Sequence, residues 1–300
     1  MPIFDKLVSS TIMHTPGPIV HLFARNYIAG KTLDDAVQAC KKLNAQGALG
    51  TIDILGEFIT RREESDTFRN HCLSILDAIA AHDLDANLSL KPTQMGLELD
   101  KQLALDNIQA IVQHAKELGN FVRIDMEDTP STDATLDIYR CLRTEFPGHV
   151  GTVLQAYLHR TSDDIEQLSD APLNLRLCKG IYNEPRTLAW KQYDVINRSF
   201  TVALEQLFKH KAYVGIATHD TRLVFEALRL IREYGLKRDD YEFQMLLGVD
   251  EELRQMLLDG GHRLRVYIPY GEAWLPYSRR RLKENPSIAR HAVRQMLGLH

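Results

Sequence analysis

The chain has 300 residues, 44% hydrophobic and 25% charged, with a formal net charge of −4. That is a globular composition without the basic excess of a nucleic-acid binder, and its evenness suits one large domain as readily as two. Cys40, Cys72, Cys141 and Cys178 are scattered and form no CxxC pair, so no structural zinc site is indicated and reduced thiols in a cytoplasmic compartment are expected.

The N-terminal apolar run Ile19 to Ala24 is short and broken by His21, which is too little for a signal peptide. No run approaches the roughly 20 apolar residues that span a bilayer, so peripheral contact is the most a membrane is expected to have. Residues 1–45 read as a helical lead-in, with Thr32 capping a helix that starts Leu33-Asp34-Asp35-Ala36-Val37. Residues 46–300 read as the catalytic unit.

From Gly47 onward short apolar strands alternate with amphipathic helices. The strands are expected at 48–54, 86–91, 121–126, 150–157, 174–179, 213–218, 241–247 and 263–268. Helical spacing marks 67–82, 106–119, 134–146, 186–210 and 222–235 among the connections. Eight β–α units predict a (β/α)8 TIM-type barrel in the α/β class. A doubly wound open sheet is the runner-up, weakened because no G-x-G-x-x-G follows the first strand.

Strand parity then sorts the side chains. One alternating set is apolar and should face the helices: Ile52/Ile54, Leu88/Leu90, Val122/Ile124, Leu154/Ala156, Leu175/Leu177, Val214/Ile216, Phe243/Met245 and Val266/Ile268. The other set holds Asp53, Lys91, Asp125, Gln155, Arg176, Gln244 and Tyr267, with His219 just past strand six. Burying such groups without partners would cost about 1–3 kcal/mol each. They imply either a polar ligand at the carboxyl-end mouth or a self-satisfied network in which Arg176 pairs with Asp125.

Near the end, Pro276 and Pro286 bracket about two and a half turns of helix. At 100° per residue Tyr277, Arg280, Arg281 and Glu284 share one arc of about 100°, and Arg279 points away from it. Two guanidinium forks on one face suit a planar anion. The plainer alternative is a solvated helix with an Arg280–Glu284 pair, or a small basic cluster touching a membrane surface. His219-Asp220 could begin a metal site, but no H-x-H, H-E-x-x-H or Cys/His cluster accompanies it, and no metal is expected. Bare chemistry also leaves open a Schiff-base aldolase using Lys91 or Lys179, and a carboxylate-binding barrel without turnover.

Seven short motifs occur in order at successive strand ends or on the last helix: Asp53-Ile54-Leu55-Gly56-Glu57, Ser89-Leu90-Lys91, Ile124-Asp125-Met126-Glu127, Val153-Leu154-Gln155-Ala156-Tyr157, Arg176-Leu177-Cys178-Lys179-Gly180-Ile181-Tyr182, Ala217-Thr218-His219 and Tyr277-x-x-Arg280-Arg281-x-x-Glu284-Asn285. In these the chain resembles the proline dehydrogenases, FAD-dependent barrel enzymes that oxidise L-proline. The resemblance implies that Arg280 and Arg281, with Lys91, hold the substrate carboxylate, and that Tyr267 packs on the pyrrolidine ring. It implies that Asp125 and Arg176 form the catalytic centre, Arg176 beside the flavin N5 edge. Met126, Gln155, Lys179, Gly180, Ile181, Thr218 and His219 would contact FAD, and Glu57 would pair with an arginine of the last helix as a gate. It further implies a monofunctional enzyme, a quinone-type electron acceptor reached peripherally at the inner membrane, and a separate pyrroline-5-carboxylate dehydrogenase as recipient of the product.

Overall fold

In the barrel the chain forms, spatial order follows chain order. A computed structural model describes residues 26–56 and 59–284 together with Gly17 and Val20, the side chains of residues 280–284 excepted. Eight parallel strands close on themselves: β1 (Leu49–Ile54), β2 (Ala86–Leu90), β3 (Val122–Ile124), β4 (Val150–Gln155), β5 (Asn174–Cys178), β6 (Tyr213–Ala217), β7 (Tyr241–Leu246) and β8 (Leu264–Tyr270). β8 pairs back onto β1, with Gly50 opposite Val266 and Ile54 opposite Tyr270. The helices are α1 (Leu33–Asn44), α2 (Arg62–Ala81), α3 (Lys101–Glu117), α4 (Thr129–Glu145), α5 (Thr161–Leu168), α6 (Tyr193–Lys209), α7 (Thr221–Glu233), α8 (Glu251–Asp259) and α9 (Trp274–Glu284). This is the TIM-type barrel the alternation predicts, with each strand–helix–strand crossover returning to a parallel neighbour.

The apolar parity set makes the layer between strands and helices. Ile52, Leu88, Leu90, Val122, Ile124, Leu154, Leu175, Leu177, Val214, Ile216, Phe243, Met245, Val266 and Ile268 are all buried in one continuous core. Each fully buried Leu, Ile, Val or Phe contributes about 1.5–3 kcal/mol, so this layer dominates the stability of the fold.

α1 lies across the seam where the barrel closes. Thr32 Oγ1 accepts from Asp35 N at 3.2 Å and Asp35 Oδ2 accepts from Thr32 N at 2.9 Å, a reciprocal cap that starts the helix. The helix buries Ala36, Val37, Cys40 and Leu43. Its close approach needs Gly50, because a Cβ there would lie 2.6 Å from Cys40 Sγ.

Several boundaries differ from the sequence expectation: α2, α3 and α4 each begin about five residues before the expected 67, 106 and 134, β3 and β4 end before 126 and 157, and two further differences have a visible cause. β8 runs two residues beyond 268, since Leu55 N donates to Tyr270 O at 2.7 Å and the β1 partner continues that far. α6 begins at Tyr193 instead of 186, and Leu188 and Trp190 in the stretch before it pair their backbone with the turn after β4. Trp190 N donates to Tyr157 O at 2.8 Å and His159 N to Leu188 O at 2.9 Å, tying this loop to the turn after β4. Helical periodicity at 186–192 thus yields to tertiary hydrogen bonding.

Candidate active site

A cavity of about 730 Å³ opens at the carboxyl end of the strands, where β2 to β8 deliver their last inward side chains. At its base, carboxylates and cations alternate. Lys91, just past β2, places Nζ 2.8 and 3.0 Å from the two oxygens of Asp53 on β1. The same ammonium lies 4.0 Å from Asp125 Oδ2, just past β3. Asp125 in turn accepts from Arg176 Nη1 at 2.6 Å, Ser89 Oγ at 2.7 Å and Tyr267 Oη at 2.9 Å. The Arg176 guanidinium sits 5.4 Å from the Tyr267 ring centre. Opposite charges therefore neutralise one another in a place where an unpaired charge would be prohibitive.

Electrostatics set the protonation of Lys91, Asp125 and Tyr267, while burial, opposed by Lys91, pushes the Asp53 carboxyl above its usual range. Burial alone would raise Asp125, but Arg176 and Lys91, with the Ser89 and Tyr267 hydroxyls, hold it below the usual carboxylate range. Burial would discharge Lys91, yet Asp53 and Asp125 outweigh it and keep the ammonium above its ordinary range. Tyr267 is pushed well above the usual phenol value by burial and by the two carboxylates, so its hydroxyl remains a donor.

A second cluster lies on the cavity wall beyond β5. Lys179 Nζ contacts Asp220 Oδ2 at 2.5 Å and stands 4.4 Å from the Tyr193 ring centre. The same carboxylate oxygen accepts from Tyr193 Oη at 2.5 Å and Asn197 Nδ2 at 2.9 Å, while Oδ1 caps α7 through Arg222 N at 3.0 Å. Burial opposes ionisation of Asp220, but these donors hold it well below the usual range. His219 Nε2 accepts from Leu246 N at 2.9 Å, which assigns any proton on its neutral ring to Nδ1. Thr218 Oγ1 accepts from Asp220 N at 3.0 Å, and Gln155 Nε2 donates to Glu127 O at 2.9 Å. Gly180 has φ +105°, and a Cβ there would collide with the Tyr157 ring. Only glycine fits this approach of the loop to the cavity.

The structure thus brings Lys91, Asp125, Met126, Gln155, Arg176, Lys179, Gly180, Ile181, Thr218, His219, Tyr267 and Tyr277 to one cavity. Tyr277 on α9 is buried and also packs with Val20, Tyr27, Ile28 and Leu55. Glu57 and the side chains of Arg280, Arg281 and Glu284 lie outside the described residues; Arg279 is half-buried. Sequence reasoning overlooked the Tyr193–Asn197–Asp220 group that holds Lys179. Its one local sign was an Asp at a helix N-cap next to a histidine, which reads first as capping or as half of a metal pair. Among the described residues no group of three His, Cys, Asp or Glu side chains is arranged to hold a metal ion, and no helix is long and apolar enough to cross a membrane.

Chemically, the cavity pairs a floor of charged groups that includes Arg176 with a wall carrying Lys179 and apolar surface from Met126, Val153, Ile181 and Leu246. That donor set fits a flat, anionic, elongated cofactor next to a small zwitterion.

Comparison with known proteins agrees with this chemistry. The family model described as proline dehydrogenase matches residues 36–294. Proline dehydrogenase 1 of Bacillus subtilis (strain 168) is 38% identical over 276 residues, covering 92% of this chain and 91% of that protein. The proline dehydrogenase of Deinococcus radiodurans is 36% identical over 278 residues, covering 91% and 90%. Among solved structures, proline utilization A from Bdellovibrio bacteriovorus, inactivated by N-propargylglycine, superposes with a TM-score of 0.81 at 24% identity, and shares the fold over 88% of this chain and 32% of its own. On the family match over residues 36–294 and the two bacterial relatives matched over 90% or more of each chain, the chain belongs to the proline dehydrogenase family.

Proposed function

We propose that the chain oxidises L-proline to Δ1-pyrroline-5-carboxylate with noncovalently held FAD as hydride acceptor. The observation that carries this reading is the hydrogen-bonded quartet Asp53–Lys91–Asp125–Arg176 at the base of a cavity whose wall holds Lys179. The flavin, when bound, supplies N5 as the acceptor of the hydride. The C–H bond beside the ring nitrogen breaks, both its electrons leave with the hydrogen, and the nitrogen lone pair forms C=N. The nitrogen must therefore be unprotonated when hydride leaves.

The protein's task is positioning and charge. Lys91, with Arg280 and Arg281 of α9, holds the proline carboxylate, which orients the ring without entering the reaction. Tyr277 and Glu284 complete that face. Tyr267 covers the ring carbons, its hydroxyl directed away from them to Asp125. Asp125 and Arg176 form the catalytic pair, with Arg176 and Lys179 placing positive charge where the reduced flavin becomes negative. Met126, Gln155, Gly180, Ile181, Thr218 and His219 line the flavin's bed, and Glu57 acts as a gate against α9. Family resemblance supports a quinone-type acceptor met by peripheral contact with the inner membrane, and transfer of the product to a separate pyrroline-5-carboxylate dehydrogenase. A Schiff-base role suits Lys91 poorly, since such a lysine needs a depressed pKa and the two carboxylates raise this one.

Anaerobic mixing with proline tests the reading: the purified protein should show a flavin spectrum that proline bleaches. A flavin-free protein refractory to FAD, or a flavin spectrum unmoved by proline, would sink it.

A further inference from the structure

Beneath Arg176 the barrel interior holds charged and polar groups that the proposed reaction does not use. Glu242, near the start of β7, is buried; its Oε1 accepts from Arg265 Nε at 2.8 Å and from Gln244 Nε2 at 2.6 Å, and its Oε2 accepts from Tyr213 Oη at 3.0 Å. Gln244 lies two residues along the same strand face, and its Oε1 accepts from Arg176 Nε at 2.5 Å. A hydrogen-bonded column therefore runs from Arg265 through Glu242 and Gln244 to Arg176 and Asp125.

The order of groups in this column leaves the amide one orientation. A carboxylate only accepts and a guanidinium only donates, so the Gln244 nitrogen must face Glu242 and its oxygen must face Arg176. A flipped amide would set N–H against N–H and oxygen against oxygen, with both groups buried. Glu242 remains an acceptor at neutral pH: burial opposes ionisation, but Arg265, Gln244 and Arg123 bring its pKa down to about 2. Gly215 on the neighbouring strand makes room, because a Cβ there would collide with the Gln244 amide. Nε and Nη1 of Arg176 are thereby committed to Gln244 and Asp125, and Nη2 is given no partner among the described residues.

We propose that Glu242 and Gln244 are positioning residues for Arg176: the carboxylate fixes the amide, and the amide fixes the guanidinium so that its remaining edge serves the cavity. The redox part of this proposal rests on the reading of Arg176 as the cation beside the flavin. The orientation part does not.

The test uses the full-length protein and the variants Gln244→Met and Glu242→Gln. In the wild type the ¹⁵N–¹H signal of Arg176 Nε, assigned by its absence in Arg176→Lys, should be protected from solvent exchange. In Gln244→Met, protection should fall at least about tenfold. Anaerobic flavin reduction at saturating proline should slow about tenfold, and the flavin midpoint potential should drop by about 30 mV, the two-electron equivalent of tenfold. The dissociation constant for proline should move less than about twofold, because Lys91 and α9 still hold the carboxylate. Glu242→Gln, whose amide can donate as well as accept and so permits the flip, should show smaller losses of the same kind. Should that variant fail to fold with Arg265 unpaired, Gln244→Met decides alone. Unchanged protection, rate and potential in Gln244→Met would overturn the proposal, as would losses confined to melting temperature. If protection collapses in Gln244→Met but proline does not reduce the wild type, the positioning stands and the redox function falls.

Discussion

At the scale of single residues, the protonation of Asp125, Lys91 and Tyr267 makes a pH prediction with a definite sign. Asp125 is held below the usual carboxylate range, with burial opposed by Arg176 and Lys91, so it is ionised well before neutrality. Lys91 and Tyr267 are both held above their ordinary ranges, so they stay protonated far into the alkaline range. None of the three changes charge between about pH 7 and pH 9, and the substrate's own amine is left to titrate. kcat/KM for proline should therefore climb with pH, approaching about tenfold per unit, with no falling limb from these groups. A decline across that range in an enzyme that stays folded would place an essential acid in the site. Tyr267 allows a second test. Its ring stands beside Arg176 at 5.4 Å and its hydroxyl is committed to Asp125. Tyr267→Ser should raise KM for proline about tenfold through lost apolar contact, and should narrow the preference over hydroxyproline because the vacated space admits a hydroxyl. Equal discrimination by wild type and variant would put the substrate ring elsewhere.

At the scale of elements, α9 reaches the cavity through Tyr277. On the proposed reading the helical period puts Arg280, Arg281 and Glu284 on the substrate side. Arg280→Met or Arg281→Met should cost about 1.5–3 kcal/mol in kcat/KM, mostly as a raised KM with the flavin spectrum kept, since on that reading each makes a charge-assisted contact to the carboxylate before and during reaction. Arg279→Ala should leave kinetics within about twofold. Steady-state kinetics on the three variants checks the helix face, and Arg279 as the most sensitive would reverse it. The same scale shows what could be read from the chain alone. The strands were legible within a residue or two because each is a short apolar run whose alternate side chains face the helices. The polar residues Lys91, Asp125, Arg176 and Tyr267, on the strands or one residue past them, were legible as one inward set for the same reason. The stretch 186–192 and hence the start of α6 were not, because Leu188 and Trp190 pair their backbone with His159 and Tyr157, and that pairing has no local pattern. Nor did Tyr193 and Asn197 announce themselves as partners of Asp220, since a loop and two helices must dock before they meet. Glu242 and Arg265 sit near strand starts, where charges in a sequence read as solvated ends.

For the molecule as a whole, a barrel with charges stacked in its interior should show acid sensitivity traceable to single pairs. Glu242 is fully enclosed, and Arg265 Nη1 also donates to Gly50 O at 2.6 Å, so this ion pair helps bind β7 and β8 to β1 where the barrel closes. Burial raises the Glu242 pKa, but Arg265, Gln244 and Arg123 together lower it from 4.5 to about 2. A group depressed in the folded state adds stability that is complete above the unfolded value and is lost as pH falls toward the folded one. A shift of this size corresponds to roughly 3 kcal/mol, lost between about pH 5 and pH 2. Glu242→Gln keeps the shape but leaves Arg265 buried without a counter-ion, so at pH 7 it should unfold more easily by about 3–5 kcal/mol. As pH falls below about 4.5 the wild type surrenders its advantage while the amide has no proton to take up, and the two urea midpoints should converge. Urea melts of both proteins at several pH values check this. A gap that stays constant down to pH 3 would mean that Glu242 is not held ionised by Arg265, and that the column beneath Arg176 is built on neutral hydrogen bonds.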